Sequence, residues 1–194
     1  FIANGTAAVV DLLAAGNRAT AHGGGVYVVG GTFRFVNVSL GGNRADGRGG
    51  GLFMAANELE AANSIVVGNA AAEGNQIFLN SGTLQIHRSL LADGCPPGAT
   101  CTELQSGDPL FVQPVDPATA PASTGNLRLQ PTSLAIDAGD NLSVTASTDL
   151  DGAPRIQNDV VDMGAYEATP MPYLALAKQV TPATSVPYQS VITY

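Results

Sequence analysis

One short motif occurs three times at a fixed spacing, and that repeat constrains the fold more than anything else in the chain. Gly16-Asn17-Arg18-Ala19-Thr20 recurs as Gly42-Asn43-Arg44-Ala45-Asp46 and as Gly68-Asn69-Ala70-Ala71-Ala72, a shift of 26 residues each time (42 − 16 and 68 − 42). Flanking segments keep step: His22-Gly23-Gly24-Gly25-Val26-Tyr27-Val28 matches Arg48-Gly49-Gly50-Gly51-Leu52-Phe53-Met54, and Glu73-Gly74-Asn75-Gln76-Ile77-Phe78-Leu79 follows after one deletion. A further segment recurs at 5–17, 31–43, 57–69 and 82–94. Within each copy apolar residues alternate with polar or outward ones, as in Thr32-Phe33-Arg34-Phe35, and Gly or Asn marks the joints. Short strands repeating at this period predict an all-β chain, a right-handed parallel β-helix, a solenoid with about 26 residues per coil. Each coil would lie about 4.8 Å above the last.

Stacking turns equivalent positions into ladders. The predicted inward ladders are Ala7, Phe33, Leu59 and Leu84; Val9, Phe35, Ala61 and Ile86; Val26, Leu52 and Ile77; and Ile2, Val28, Met54 and Leu79. Large residues over small ones, such as Phe35 over Ala61, fill a narrow interior. On the outside Arg34 lies over Glu60 and Arg18 over Arg44, a like pair that needs water or an anion between its members. Asn17, Asn43 and Asn69 form a corner ladder of amides, on backbone expected to be left-handed. Phe1, Tyr27, Phe53 and Phe78 form an outward aromatic stripe. Either a loop or the C-terminal segment covers it, or it is a platform for sugar rings or another chain.

Composition fits this architecture and excludes others. The chain is 45% hydrophobic but only 12% charged, with 23 glycines and one lysine, Lys178, so a helical bundle with solvated Lys/Glu faces is excluded. Sixteen acidic against eight basic residues give a net charge of −8, which argues against nucleic acid as a partner. No run approaches the roughly 18 apolar residues of a membrane span. The chain opens at Phe1 with no Met or signal peptide before it, the expectation for a processed or excerpted protein. Cys95 and Cys101 bracket Pro-Pro-Gly-Ala-Thr and read as a local disulfide stapling a loop, or as two free thiols; a disulfide implies an oxidising compartment.

Candidate chemistry is sparse. A polyuronate lyase needs a cationic base with calcium-binding carboxylates on one face, and here Arg18, Arg34, Arg44, Arg48 and Arg88 fall in different columns from Asp11, Asp46, Glu58, Glu60 and Glu73. Glu58 and Glu60 share strand parity, about 7 Å apart, a spacing open to a paired-carboxylate hydrolase or to a solvated acidic edge. With His22 and His87 the only histidines, a serine triad finds little to draw on. No catalytic residue is assigned. Calcium is the one candidate cofactor: Asp149, Asp151, Asp159 and Asp162, near Asp137 and Asp140, are its weak candidate ligands, against aspartate turns as the alternative. Sequons at Asn4, Asn37 and Asn141 are candidate glycosylation sites, with Asn37 in one column with Asn63 and Arg88 at a corner expected to be accessible.

The Gly-Gly-Gly-Val and Gly-Gly-Gly-Leu corners, with Phe1-Ile2-Ala3-Asn4 fitting Phe-x-x-Asn, resemble repeats of the polymorphic outer-membrane protein family and related bacterial surface β-helices. Downstream, Asp108-Pro109-Leu110-Phe111, Leu127-Arg128-Leu129, Ala135-Ile136-Asp137-Ala138-Gly139, Asp149-Leu150-Asp151-Gly152 with Arg155, and Val161-Asp162-Met163-Gly164-Ala165-Tyr166-Glu167 resemble the C-terminal end of β-helices that carry a choice-of-anchor region. These resemblances imply an exported, pectate-lyase-like β-helix of mainly adhesive or structural use, without catalytic residues. From Pro170 on, two alternating segments, 173–178 and 188–194, resemble the opening strands of an Ig-like conserved repeat module.

The expected organisation is therefore coils over 1–94, final coils and capping loops over 95–168, and a Pro-rich linker with strands of an incomplete Ig-like module over 169–194. The expected function is that of an extracellular or cell-surface adhesin or structural module. Its partners would be other copies of itself, the rest of a longer surface protein, or glycans. Head-to-tail stacking into a filament would use Phe1, Tyr27, Phe53, Phe78, Tyr188, Val191, Ile192 and Tyr194. The competing expectation is a polysaccharide-binding or polysaccharide-cleaving β-helix.

Overall fold

The computed structural model describes residues 2–168. The candidate contacts of Phe1, Tyr188, Val191, Ile192 and Tyr194, and the strands expected after 168, lie outside the described residues.

The chain is a β-solenoid of about three turns. Its larger sheet stacks Ile2–Ala3, Val26–Val29, Leu52–Ala62, Ile77–His87 and Thr100–Thr102, with Thr6–Val10 and Thr32–Val36 joining the same sheet; all these pairings are parallel. In the second copy the strand breaks at Gly30-Gly31, where φ is +61° and +70°. Ala56-Asn57 replaces that pair in the next copy, so Leu52–Ala62 runs through as one strand. The deletion in the following copy appears as register shifts between Leu79 and Thr83.

The predicted ladders are the observed rungs. Phe33 pairs with Ala7 on one side and Leu59 on the other, Leu59 with Leu84, and Phe35 lies between Val9 and Ala61. Val28, Met54 and Leu59 are fully buried, whereas Ala7, on the first described rung, is exposed. Alternation explains the pattern: in a strand every second side chain enters the interior, and stacked copies bury it from above and below.

A second sheet stacks Leu13–Ala15, Ser39–Gly41, Ile65–Val67 and Leu90–Leu91. Its inward residues Ala14, Leu40, Val66 and Leu91 join the central core. Its outward residues Ile65, Val67 and Leu90 form another core with Phe111, Leu127, Leu129, Ala135 and Met163. Burial on both faces is why Ile65-Val66-Val67 is an unbroken apolar run rather than an alternating one. Residues beyond Gln105 supply this cover. An antiparallel pair, Phe111–Gln113 with Asn126–Leu129, packs on the sheet, and the segment from 134 to 168 continues as an irregular strap.

At the corner the left-handed residues are Gly16, Gly42 and Gly68, with φ between +66° and +68°, and not the asparagines that follow them. The expected backbone role of Asn17, Asn43 and Asn69 is thus corrected. Glycine takes the turn because a Cβ at Gly42 would sit 2.4 Å from Val115, as well as being strained at that φ. The asparagine keeps an ordinary backbone and gives its amide to the stack.

Candidate functional site

The outward face of the larger sheet carries two adjoining hollows. One, of about 290 Å³, is bordered by Thr6, Ala8, Thr32, Arg34, Glu58 and Glu60. The other, of about 230 Å³, is bordered by Glu60, Gln85, His87, Thr100 and Thr102. Strand parity puts these hydroxyl, amide and charged groups outside, and parallel stacking aligns them from coil to coil. As expected, Arg34 lies beside Glu60, Nε to Oε1 at 3.5 Å. His87 Nδ1 meets Thr102 Oγ1 at 2.9 Å, and its Nε2 lies 3.8 Å from Asp140 Oδ2. Glu58 and Glu60 share the exposed face, but the guanidinium of Arg34 occupies Glu60. Chemically, the face is equipped to hydrogen-bond a polar ligand.

The remaining predicted surface features are used inside the molecule. Arg18 and Arg44 do stack, and the anion between them is Asp46, whose carboxylate is 3.1 Å from one guanidinium and 3.7 Å from the other. Tyr27, Phe53 and Phe78 stack with ring centroids 4.9 and 5.8 Å apart. Phe53 is only 4% exposed, with the His22 ring stacked on it at 4.8 Å, and Arg48 lies over Phe78 at 4.8 Å. Phe53 is thus buried within the stripe rather than offered as an open platform. The C-terminal strap lies instead on the second sheet.

Cys95 and Cys101 form a disulfide with Cα atoms 5.9 Å apart. Ala99, Cys101 and Leu104 pack against the end of the central core. Such a bond suits an oxidising compartment. Among the described residues no helix is long and apolar enough to cross a membrane.

The strap is held by a column of which sequence reading placed Asn37, Asn63 and Arg88 at an accessible corner. Asp11, Asn37, Asn63, Arg88 and Glu103 all adopt positive φ, between 39° and 55°. Their side chains turn toward the strap or one another. Asn37 Nδ2 donates to the Asp162 carbonyl at 3.0 Å. Asn63 exchanges two bonds with Asp140, its Nδ2 donating to the carbonyl at 3.0 Å and its Oδ1 accepting from the backbone N–H at 2.7 Å. Arg88 donates to the Gly139 carbonyl at 3.2 Å and pairs with Glu103 at 2.7 Å. Asn37 is therefore 1% exposed, so the corner expected to be accessible is covered. Asn141 is exposed, yet its amide is also engaged, donating to the Asp159 carbonyl and accepting from Val161. Asn4 is exposed at the first corner.

The candidate calcium ligands are not gathered into one set. Asp149 caps its own turn, Oδ1 accepting from Asp151 and Ala153 and Oδ2 from Glu167. Asp151 pairs with Arg128, Nε to Oδ2 at 2.6 Å, a bond that draws the carboxyl below its ordinary range. Asp162 accepts from Asp137 and Ala168. Asp159 contributes its carbonyl to Asn141. Among the described residues no group of three or more His, Cys, Asp or Glu side chains is placed to hold a metal ion.

What sequence reading missed is the burial of Arg155, the largest fully buried side chain among the described residues, 1% exposed. Its Nη2 lies 3.2 Å from Asp11 of the first coil and its Nη1 3.2 Å from Glu167. It also donates to the Gly164 carbonyl. Burial raises the Asp11 and Asp162 carboxyls above their ordinary values, and burial with the nearby Asp162 charge pushes Glu167 to about 8. Asp140 goes the other way: burial opposes ionisation, but hydrogen bonds from Ser143 and Leu142 and the charges of His87 and Arg88 outweigh it. Comparison with protein-family models, curated proteins and solved structures finds no match to this chain.

Proposed function

We propose that this protein is an extracellular structural or adhesive module of a bacterial surface protein, working through the polar face it presents along its coils. The observation that carries this reading is how its outward charges are spent. Arg34 with Glu60, Arg48 with Glu73, Arg88 with Glu103 and Arg18 with Asp46 pair between coils, and Arg44 pairs with Asp46 within its own, leaving a surface built for contact rather than for reaction. The disulfide supports a location outside the reducing cytoplasm, and the covered second sheet supports a rigid rod. Partners of this reading are glycans, the rest of a surface protein, or further copies stacked head to tail.

The test pairs adhesion with turnover. Beads coated with the protein should adhere to glycan arrays or to host-cell surfaces, with no sugar released. Release of unsaturated sugar from polyuronates, or of reducing ends from neutral glycans, would replace this reading with the polysaccharide-cleaving one. Sedimentation over a dilution series reads the filament component: growing assemblies support it, and an unchanging monomer removes it.

A further inference from the structure

The strap meets the first coil at a buried site where one cation faces an excess of acids. Arg155 is 1% exposed and reaches Asp11 on the coil side and Glu167 on the strap side, each at 3.2 Å. Asp149 and Asp162, 6% and 2% exposed, are bonded directly to Glu167: its backbone N–H donates to Asp149 Oδ2 at 2.8 Å, and its carboxylate accepts from the Asp162 N–H at 3.1 and 3.3 Å. Asp137 faces Asp162 from the other side, its N–H donating to Asp162 Oδ1 at 2.7 Å. One guanidinium cannot compensate Asp11, Asp162 and Glu167 together once water is excluded, because a buried unpaired charge is strongly disfavoured. Such a site retains protons.

We propose that residues 149–168 form a proton-operated latch, in which Arg155 clamps the strap to Asp11 of the first coil while surplus carboxyls stay protonated, and which loosens as alkali removes the last proton. The direction follows from linkage. A carboxyl whose value rises on folding binds its proton more tightly in the closed state, so its contribution is whole below its unfolded value and is lost as pH climbs through the folded one. For Glu167 that window runs from about 4.5 to about 8. Asp11 and Asp162 are raised too, so they act in the same direction. Glu167 stands where closing and ionisation conflict most directly, since its carboxyl touches both the clamp and the Asp162 backbone.

Hydrogen exchange read by mass spectrometry tests the latch, in chelator and with intrinsic rates corrected for pH. Between pH 6 and pH 9 the protection of amides 161–168 should fall at least about tenfold relative to those of 52–62. In Glu167→Gln, which mimics the protonated acid, protection should fall much less across that range. Equal wild-type protection at both pH values, or a Gln variant that loosens as much as wild type, would overturn the proposal. Should Glu167→Gln fail to fold, Asp11→Asn supplies the reading. That substitution removes the clamp's coil-side partner, so amides 161–168 should already exchange faster than wild type at pH 6, and wild-type protection there refutes the latch.

Discussion

Asn43 and Asp46 stand three residues apart in one coil, and their environments set opposite expectations for their loss. Asn43 is completely buried; it accepts from the N–H and Nδ2 of Asn17 at 3.0 and 2.9 Å and donates to Asn69 Oδ1 at 2.9 Å and the Ala14 carbonyl at 2.8 Å. Asn43→Ala strands polar groups in a dry interior and should cost about 3 kcal/mol. Asp46 bridges two guanidiniums that are each 43% exposed, so Asp46→Ala should cost less than about 1 kcal/mol, and less again in high salt. Urea midpoints at constant m-value measure both, and equal costs would contradict this ranking of the two bonds. The amide ladder also ends for a visible reason. Asn69 donates to Gln76 Oε1 at 2.9 Å, so a side chain seven residues on supplies the acceptor that another asparagine would have given.

Among the elements, the disulfide loop is the most separable. The Cys95–Cys101 bond closes a short loop against the end of the core, so Cys95→Ser with Cys101→Ser should cost about 2 kcal/mol. The loss should fall on the exchange protection of 95–105, with amides of Ser39–Gly41 unaffected; uniform loss over both regions would show that the loop supports the whole stack. The strap predicts a second outcome. In a glycosylating host, intact mass and peptide mapping should find no glycan on Asn37, whose amide lies beneath Asp162, and any occupancy should be on exposed Asn4 or Asn141. The coils were legible in the sequence because each rung repeats one pattern 26 residues on, so Phe33 announces Leu59 and Arg34 announces Glu60. The strap was not, because it occurs once and its bonds span 77 residues, as from Asn63 to Asp140, or 125, as from Asn37 to Asp162. Burial of Arg155 left a fainter trace, an arginine shortly after Asp149 and Asp151 in a chain with few charges.

At the scale of the molecule, two cores share one sheet. The central core and the outer one meet across Ile65–Val67, where Val66 faces inward and Ile65 and Val67 face the strap. Leu59 lies mid-stack, with Phe33 on one side and Leu84 on the other, and is fully buried. Leu59→Ala should therefore lower stability by about 3 kcal/mol, read as an earlier urea midpoint. In a solenoid such losses pass to nearest neighbours, so exchange should quicken first in 32–36 and 84–87; acceleration confined to the strap would contradict that order.

The column beneath the strap also limits how this molecule can change over generations. Asp11, Asn37, Asn63 and Arg88 meet the strap at Arg155, Asp162, Asp140 and Gly139, one residue from each successive corner. A duplicated coil would push every later rung about 4.8 Å along the axis while the strap kept its length. The strap is in effect a ruler: it fixes the copy number of a repeat that could otherwise be extended by simple duplication.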